Sequence, residues 1–266
     1  MLRYLEEKAK AYQAPDFVLP GEGLIYATVG GSRAYGVVTP DSDTDIYGVC
    51  IPTIDQVFPH MQGVVPYFGQ QVKPWLHWQY QGQNLDISVY SLVRFFDLAM
   101  KGNPNIIELL FTSPDLVMHN TVLGDMLVGS RDLFLTNNII PRFLGFYYSQ
   151  RNKLFEAPMG TEKAGLIEKY GYDSKAAYHS MRLLLELEQL LETGDMSLAL
   201  YGDLLTGIRF GGFSPEDVKE MLALKAERVA NKKEHSVLRD TPNEEYTKQC
   251  LLLMLETYYG RSLEWA

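Results

Sequence analysis

The chain has 266 residues, 46% of them hydrophobic and 21% charged, and a formal net charge of −9. That length suits two domains or one large one, and the composition supports a packed core and excludes wholesale disorder. The acidic balance, with a pI near 5.1, argues against a surface that coats nucleic acid throughout, while leaving room for a local basic groove.

Residues 2–13 place charged and apolar side chains in a helical rhythm. Leu24–Gly30 is β-prone and ends at glycines, and Ile46–Ile51 is a second such run. Residues 55–83, rich in Gly, Pro, Gln and aromatics, read as irregular or hairpin structure. Asn84–Tyr90 is a third strand. A helix is predicted from Ser91 to Lys101, stopped by Gly102, and another from Pro104 to Phe111. Beyond residue 120 strand-like alternation fades. Helical periodicity covers 121–130, 138–156, 174–193, 215–234 and 242–259. Ser214-Pro215-Glu216-Asp217 and Thr241-Pro242-Asn243-Glu244 carry capping chemistry at two of these starts. The expected class is α+β: a mixed-sheet domain over 1–120, then an all-helical domain over 121–266 in close contact with it.

Two cysteines, Cys50 and Cys250, are too few for a disulfide scaffold or a cysteine-rich metal site, and both read as small buried hydrophobes. The first residues lack the apolar core of a secretory signal. No apolar run approaches the roughly 18 residues that span a bilayer. A soluble protein of the reducing cytoplasm, without a membrane partner, is expected.

The chemistry concentrates in Gly30-Gly31-Ser32-Arg33-Ala34-Tyr35-Gly36 and Asp41-Ser42-Asp43-Thr44-Asp45-Ile46-Tyr47-Gly48. Asp43 and Asp45 are two apart at the start of a strand, so they share a face. Carboxylates held together repel unless a cation sits between them, which points to a hard divalent ion. Asp41 has the same parity but belongs to the preceding turn. Asp86, flanked by apolar β-formers, is costly to bury without a partner. If its strand lies beside that of Asp45, three carboxylates converge and can hold two Mg²⁺ ions. Gly30 and Gly31 let the backbone turn sharply and approach a ligand closely. Ser32, opening a short helix, adds a hydroxyl to the free N–H groups of an anion site.

This pattern, Gly31-Ser32 followed by Asp43-x-Asp45 and a lone Asp86 on a later strand, resembles the nucleotidyltransferase fold of the DNA polymerase β superfamily. The longer string is similar to bacterial and phage nucleotidyltransferases described as RNA-repair-pathway polymerase β-like proteins. The likeness extends through Lys101–Leu110 and Tyr170–His179, and so over most of residues 24–193. It implies transfer of a nucleotidyl group from a nucleoside triphosphate to a hydroxyl, with pyrophosphate leaving. Carried onto this chain, it implies that Asp43 and Asp45 bind the triphosphate's metal and that Asp43, Asp45 and Asp86 together bind the catalytic one. The ions would be Mg²⁺ or Mn²⁺. Asp86 would be the general base, with Gly31 and Ser32 on the β- and γ-phosphates.

Other residues carry two readings each. Arg33 is a surface arginine or a phosphate contact, and Tyr35 a packing residue first and a functional one second. Asn103-Pro104-Asn105 reads first as a helix start; the other reading has Asn105 or Glu108 facing a nucleotide. Lys175, His179 and Arg182 lie within about 60° of one another on a helix, opposite an apolar stripe of Ala177, Met181, Leu184, Leu187 and Leu191. That charged stripe either faces solvent or faces the cleft, with Lys175 and His179 as substrate contacts. Lys225, Arg228, Lys232 and Lys233 read as a solvated face paired with Glu220, Glu227 and Glu234. The favoured acceptor is an RNA end. A protein or small-molecule acceptor, a silent nucleotide-binding module and a toxin–antitoxin or defence partner are the alternatives. Base choice and oligomeric state are not legible.

Overall fold

The computed structural model describes residues 23–38, 42–52, 77–82, 85–156 and 161–262. The helix expected over 2–13, Asp41, and most of the 55–83 segment lie outside them.

The front of the chain builds a five-stranded mixed sheet. Strands β1 (Leu24–Val29), β2 (Thr44–Cys50), β3 (His77–Gly82), β4 (Leu85–Ser91) and β5 (Val117–Asn120) are ordered β3-β4-β2-β1-β5. Only β2 and β4 run parallel; the other neighbours are antiparallel. The hairpin part of the 55–83 expectation is therefore met at β3, which pairs with β4. Strand β5 was not anticipated: four residues with polar His119 and Asn120 carry too little alternation to signal a strand. The sheet supplies Ile25, Tyr26, Ile46, Val49 and Ile87 to the buried interior.

Between β1 and β2 lies a single helical turn, α1 (Gly31–Ala34). After β4 the Ser91 hydroxyl accepts from the Arg94 N–H and starts α2 (Leu92–Met100). Asn103 caps α3 (Pro104–Ile107) by accepting the Asn105 N–H at 3.1 Å, with Pro104 at the first position. The α-helix then tightens into a 3₁₀ turn, Glu108–Phe111, so the expected helix over 104–111 has two parts.

The remainder is helical: α4 (Val122–Gly129), α5 (Ile139–Arg151), α6 (Glu162–Tyr170), α7 (Ser174–Thr193), α8 (Gly202–Arg209), α9 (Pro215–Lys233) and α10 (Glu244–Ser262). Helices α6 and α8 were not anticipated; at nine and eight residues they are too short for periodicity to declare them. Helix α7 is the axle. Asp173 starts it by accepting the Lys175 and Ala176 N–H groups at 3.0 Å, and Gly194, at φ +68, ends it. Its apolar stripe is fully buried, and α5, α8 and α9 pack around it. A leucine buried there contributes about 1.5–3 kcal/mol. One apolar core runs from Ile25 to Met254, continuous across residue 120.

The basic face of α9 pairs differently from expectation. Lys225 and Arg228 reach across to Glu188 of α7, and Lys232 to Glu192, instead of to glutamates of their own helix. Cys50 is buried, whereas Cys250 is only half-buried and lies 3.3 Å from the Ser130 hydroxyl. Among the described residues no helix is long and apolar enough to cross a membrane.

Candidate active site

A cavity of about 670 Å³ opens where the sheet meets α7. Three carboxylates enter it from two parallel strands. Asp43 immediately precedes β2, Asp45 is the second residue of β2, and Asp86 of β4 lies directly opposite Asp45 in the strand register. Parallel neighbours point in-register side chains to the same face, which is why a lone Asp so far along the chain joins the pair.

The three act on one another electrically. Burial, followed by the charges of Asp86 and Asp43, pushes the Asp45 carboxyl above its usual value. Burial and Asp43 do the same to Asp86, and Lys175 partly offsets both. Among the described residues no three His, Cys, Asp or Glu side chains already form a closed metal-holding group, so enclosing an ion requires these carboxylates to draw together. The donor set still fits a hard divalent cation: it is all carboxylate oxygen, and its own repulsion is what a cation between the groups would remove.

The turn after β1 is built against these carboxylates. The Gly30 N–H donates to the Asp45 carbonyl at 2.9 Å, and Gly31 sits at φ +59. A Cβ at Gly31 would overlap the Asp45 carboxylate, and one at Gly30 would fall 2.6 Å from the Tyr47 ring. Both glycines are therefore required by proximity, and Gly31 by conformation as well. No side chain caps the turn, and Ser32 lies half-buried in the cavity wall beside it.

Asn105, Lys175 and His179 also line the cavity, which thus gathers Asp43, Asp45, Asp86, Gly31, Ser32, Asn105, Lys175 and His179. Arg33 is not among its walls: it is exposed on the outer side of α1. The charged stripe of α7 is split. Lys175, His179 and Arg182 all line the cavity, but Lys175 is exposed whereas Arg182 is buried at 5% exposure in its wall, so the stripe faces the cleft and not bulk solvent, with one end sunk into the protein.

Arg182 is the hub of a buried network. Its Nη1 donates to the Tyr35 hydroxyl at 2.9 Å, to Glu108, and to Glu186 at 3.0 Å, while the Tyr35 hydroxyl donates to Glu108. Its guanidinium also stacks 4.4 Å from the Tyr35 ring centroid. Burial pushes Glu186 well above the carboxylate range, with Glu108 adding to the rise and Arg182 opposing it. Tyr35, read first as a packing residue, therefore ties the turn after β1 to α7 through its hydroxyl. Tyr35, Glu108 and Arg182 of this network line the cavity, as do Tyr47, Tyr178 and Arg209. Tyr47 had a signal in the sequence, since it continues the parity of Asp43 and Asp45; Tyr178 and Arg209 had none.

A glycine turn after the first strand, two acids on the second and one on its parallel neighbour define the polymerase β-like nucleotidyltransferase class. The family model of the RNA repair pathway DNA polymerase beta family, RlaP, matches residues 2–250. The chain belongs to that family. It is also similar to the "uncharacterized 38.9 kDa protein in nrdC-mobD intergenic region" of Enterobacteria phage T4, at 29% identity over 130 residues. That match covers 46% of this chain and 36% of the phage protein, so it spans about a third of that relative's length. Among solved structures, a nucleotidyltransferase-like protein from Exiguobacterium sibiricum aligns over 96% of this chain and 80% of its own, at 10% identity and a TM-score of 0.27.

Proposed function

We propose that this chain transfers a nucleotidyl group from a nucleoside triphosphate to a hydroxyl acceptor, an RNA end being favoured, and releases pyrophosphate. The observation that carries the reading is one cavity shared by Asp43, Asp45, Asp86, the Gly31-Ser32 turn and Lys175. Its volume is of the size that holds a nucleotide. The RNA preference rests on the family's description.

In this reading residues 1–120 supply the turn and the carboxylates, and residues 121–266 close the cleft. Asp43 and Asp45 would hold a triphosphate-bound Mg²⁺ or Mn²⁺, and all three aspartates a second ion. Such ions neutralise phosphate charge and stabilise the developing oxyanions. The Ser32 hydroxyl and the N–H groups of its turn donate to the β- and γ-phosphates. Asp86 takes the proton of the acceptor hydroxyl, and its raised pKa suits that role. The acceptor oxygen bonds to the α-phosphorus as the bond to the β-phosphate oxygen breaks. Lys175, across from the turn, meets the charge that builds on the departing pyrophosphate.

The test is incubation of the pure protein with each labelled triphosphate, Mg²⁺ or Mn²⁺, and single-stranded RNA, total protein or small hydroxyl compounds in parallel. Label transferred to RNA by the wild type and not by Asp45→Asn supports the reading. Label on protein or on a small compound keeps the chemistry and replaces the acceptor. Triphosphate binding with no transfer to any acceptor overturns the reading.

A further inference from the structure

A second cavity, of about 250 Å³, shares a wall with the first. Gln150 near the end of α5, Lys163 and Leu166 of α6, and Glu162, Lys175 and His179 line it. The last three line the catalytic cavity too, so the first two turns of α7 and Glu162 at the start of α6 form the partition between the two spaces.

The chemistry of this wall suits a small anion. Lys163 and Lys175 form no ion pair among the described residues, whereas Lys225, Arg228 and Lys232 of α9 are each held by a glutamate. Asp173, also in the wall, spends its carboxylate on the Lys175 and Ala176 N–H groups. His179 is half-buried and lies against the Tyr178 ring, with ring centroids 4.0 Å apart, and its imidazole nitrogens have no hydrogen-bond partner among the described residues. Burial and the cations Arg182, Lys175 and Arg209 hold it neutral, so it offers one N–H. Glu162 is the opposing charge, and an anion that leaves with a divalent cation brings its own neutralisation. The volume lies below the range of nucleotide-sized sites but accommodates a pyrophosphate.

We propose that the second cavity is the exit site of the leaving pyrophosphate, which Lys175 hands across the partition to Lys163, His179 and Gln150. This rests on the transferase reading above. It separates the two phosphate functions of the site: the Gly31-Ser32 turn receives the triphosphate, and the far side of α7 receives the product.

The experiment compares wild type with Lys163→Ala and Gln150→Ala by titration with Mg²⁺-pyrophosphate, by product inhibition, and by triphosphate KM and single-turnover rate. Lys163 is exposed, so its loss leaves the fold intact, and thermal melting checks this. Lys163→Ala is expected to weaken pyrophosphate binding and inhibition about tenfold, as for one charge-assisted contact, and Gln150→Ala by less. Triphosphate KM and the single-turnover rate stay unchanged. Unaltered pyrophosphate affinity in Lys163→Ala overturns the proposal, as does an effect confined to the KM of an RNA acceptor. A wild type that binds pyrophosphate through Lys163 but transfers nothing overturns the transferase reading and leaves the anion site standing.

Discussion

Gly31 and Asp45 occupy space that only a glycine permits: a Cβ at residue 31 would overlap the Asp45 carboxylate. Gly31 also sits at φ +59, where an alanine costs about 1–2 kcal/mol. Gly31→Ala should therefore displace either the turn or the carboxylate, both of which the proposed chemistry uses. Transfer should fall far more than stability does. Parallel activity assays and urea melts check this, and a variant with full activity removes the turn from the phosphate site.

The raised carboxyls of Asp45 and Asp86 make a stability prediction with a definite sign. A group whose pKa is higher in the folded state stabilises the fold below its unfolded pKa, and that contribution is lost as pH rises through the folded value. The cation-free protein should thus lose stability from these groups as pH climbs from the ordinary carboxylate range toward neutrality. Asp45→Asn should melt no lower than wild type at neutral pH without divalent ion, while abolishing transfer. Mg²⁺ with a triphosphate should raise the wild-type melting temperature and leave the variant nearly unmoved. Scanning calorimetry across pH, with and without Mg²⁺, measures both effects.

Lys175 lowers the pKa of both Asp45 and Asp86. Lys175→Ala should let both carboxyls rise further, so the acidic limb of the pH–rate profile moves to higher pH. The same change should raise the triphosphate KM or lower kcat by roughly tenfold or more, the effect of losing a contact worth about 1.5–3 kcal/mol. The fold should hold because the apolar stripe of α7 is untouched. A profile that does not shift would place the ammonium too far from the aspartates to act on them.

Arg182 should matter to stability first. Replacing it by methionine leaves Glu108 and Glu186 buried without their cation, a loss of about 3–5 kcal/mol for a broken buried pair. Acid should shrink the loss, since Glu186 is already pushed toward the protonated form and a neutral carboxyl needs no guanidinium. Chemical denaturation of Arg182→Met at neutral and acidic pH tests this; an equal loss at both would mean that packing, not charge, holds the residue.

Local chemistry wrote much of this protein into its sequence. The capping residues Asn103 and Ser214 start helices where they were expected to, because a cap needs only its own neighbours; in the stretch Thr241–Glu244 the cap is Asn243, which accepts the Tyr246 N–H, and the helix begins at Glu244. Gly31-Ser32 and Asp43-x-Asp45 are contiguous, so turn chemistry and strand parity sufficed to name them. Which strand stands beside β2 is a long-range fact: the parallel register that sets Asp86 opposite Asp45 depends on a crossover with no local signal. The fate of Arg182 was likewise undetermined by spacing, since a charged stripe reads the same whether it meets solvent, a ligand or buried glutamates. Only packing against Tyr35 and Glu108, residues 147 and 74 positions away, turned one end of that stripe into a buried hub. The other end remained free to face two cavities, because burial is decided by what the rest of the chain brings to a helix and not by the helix itself.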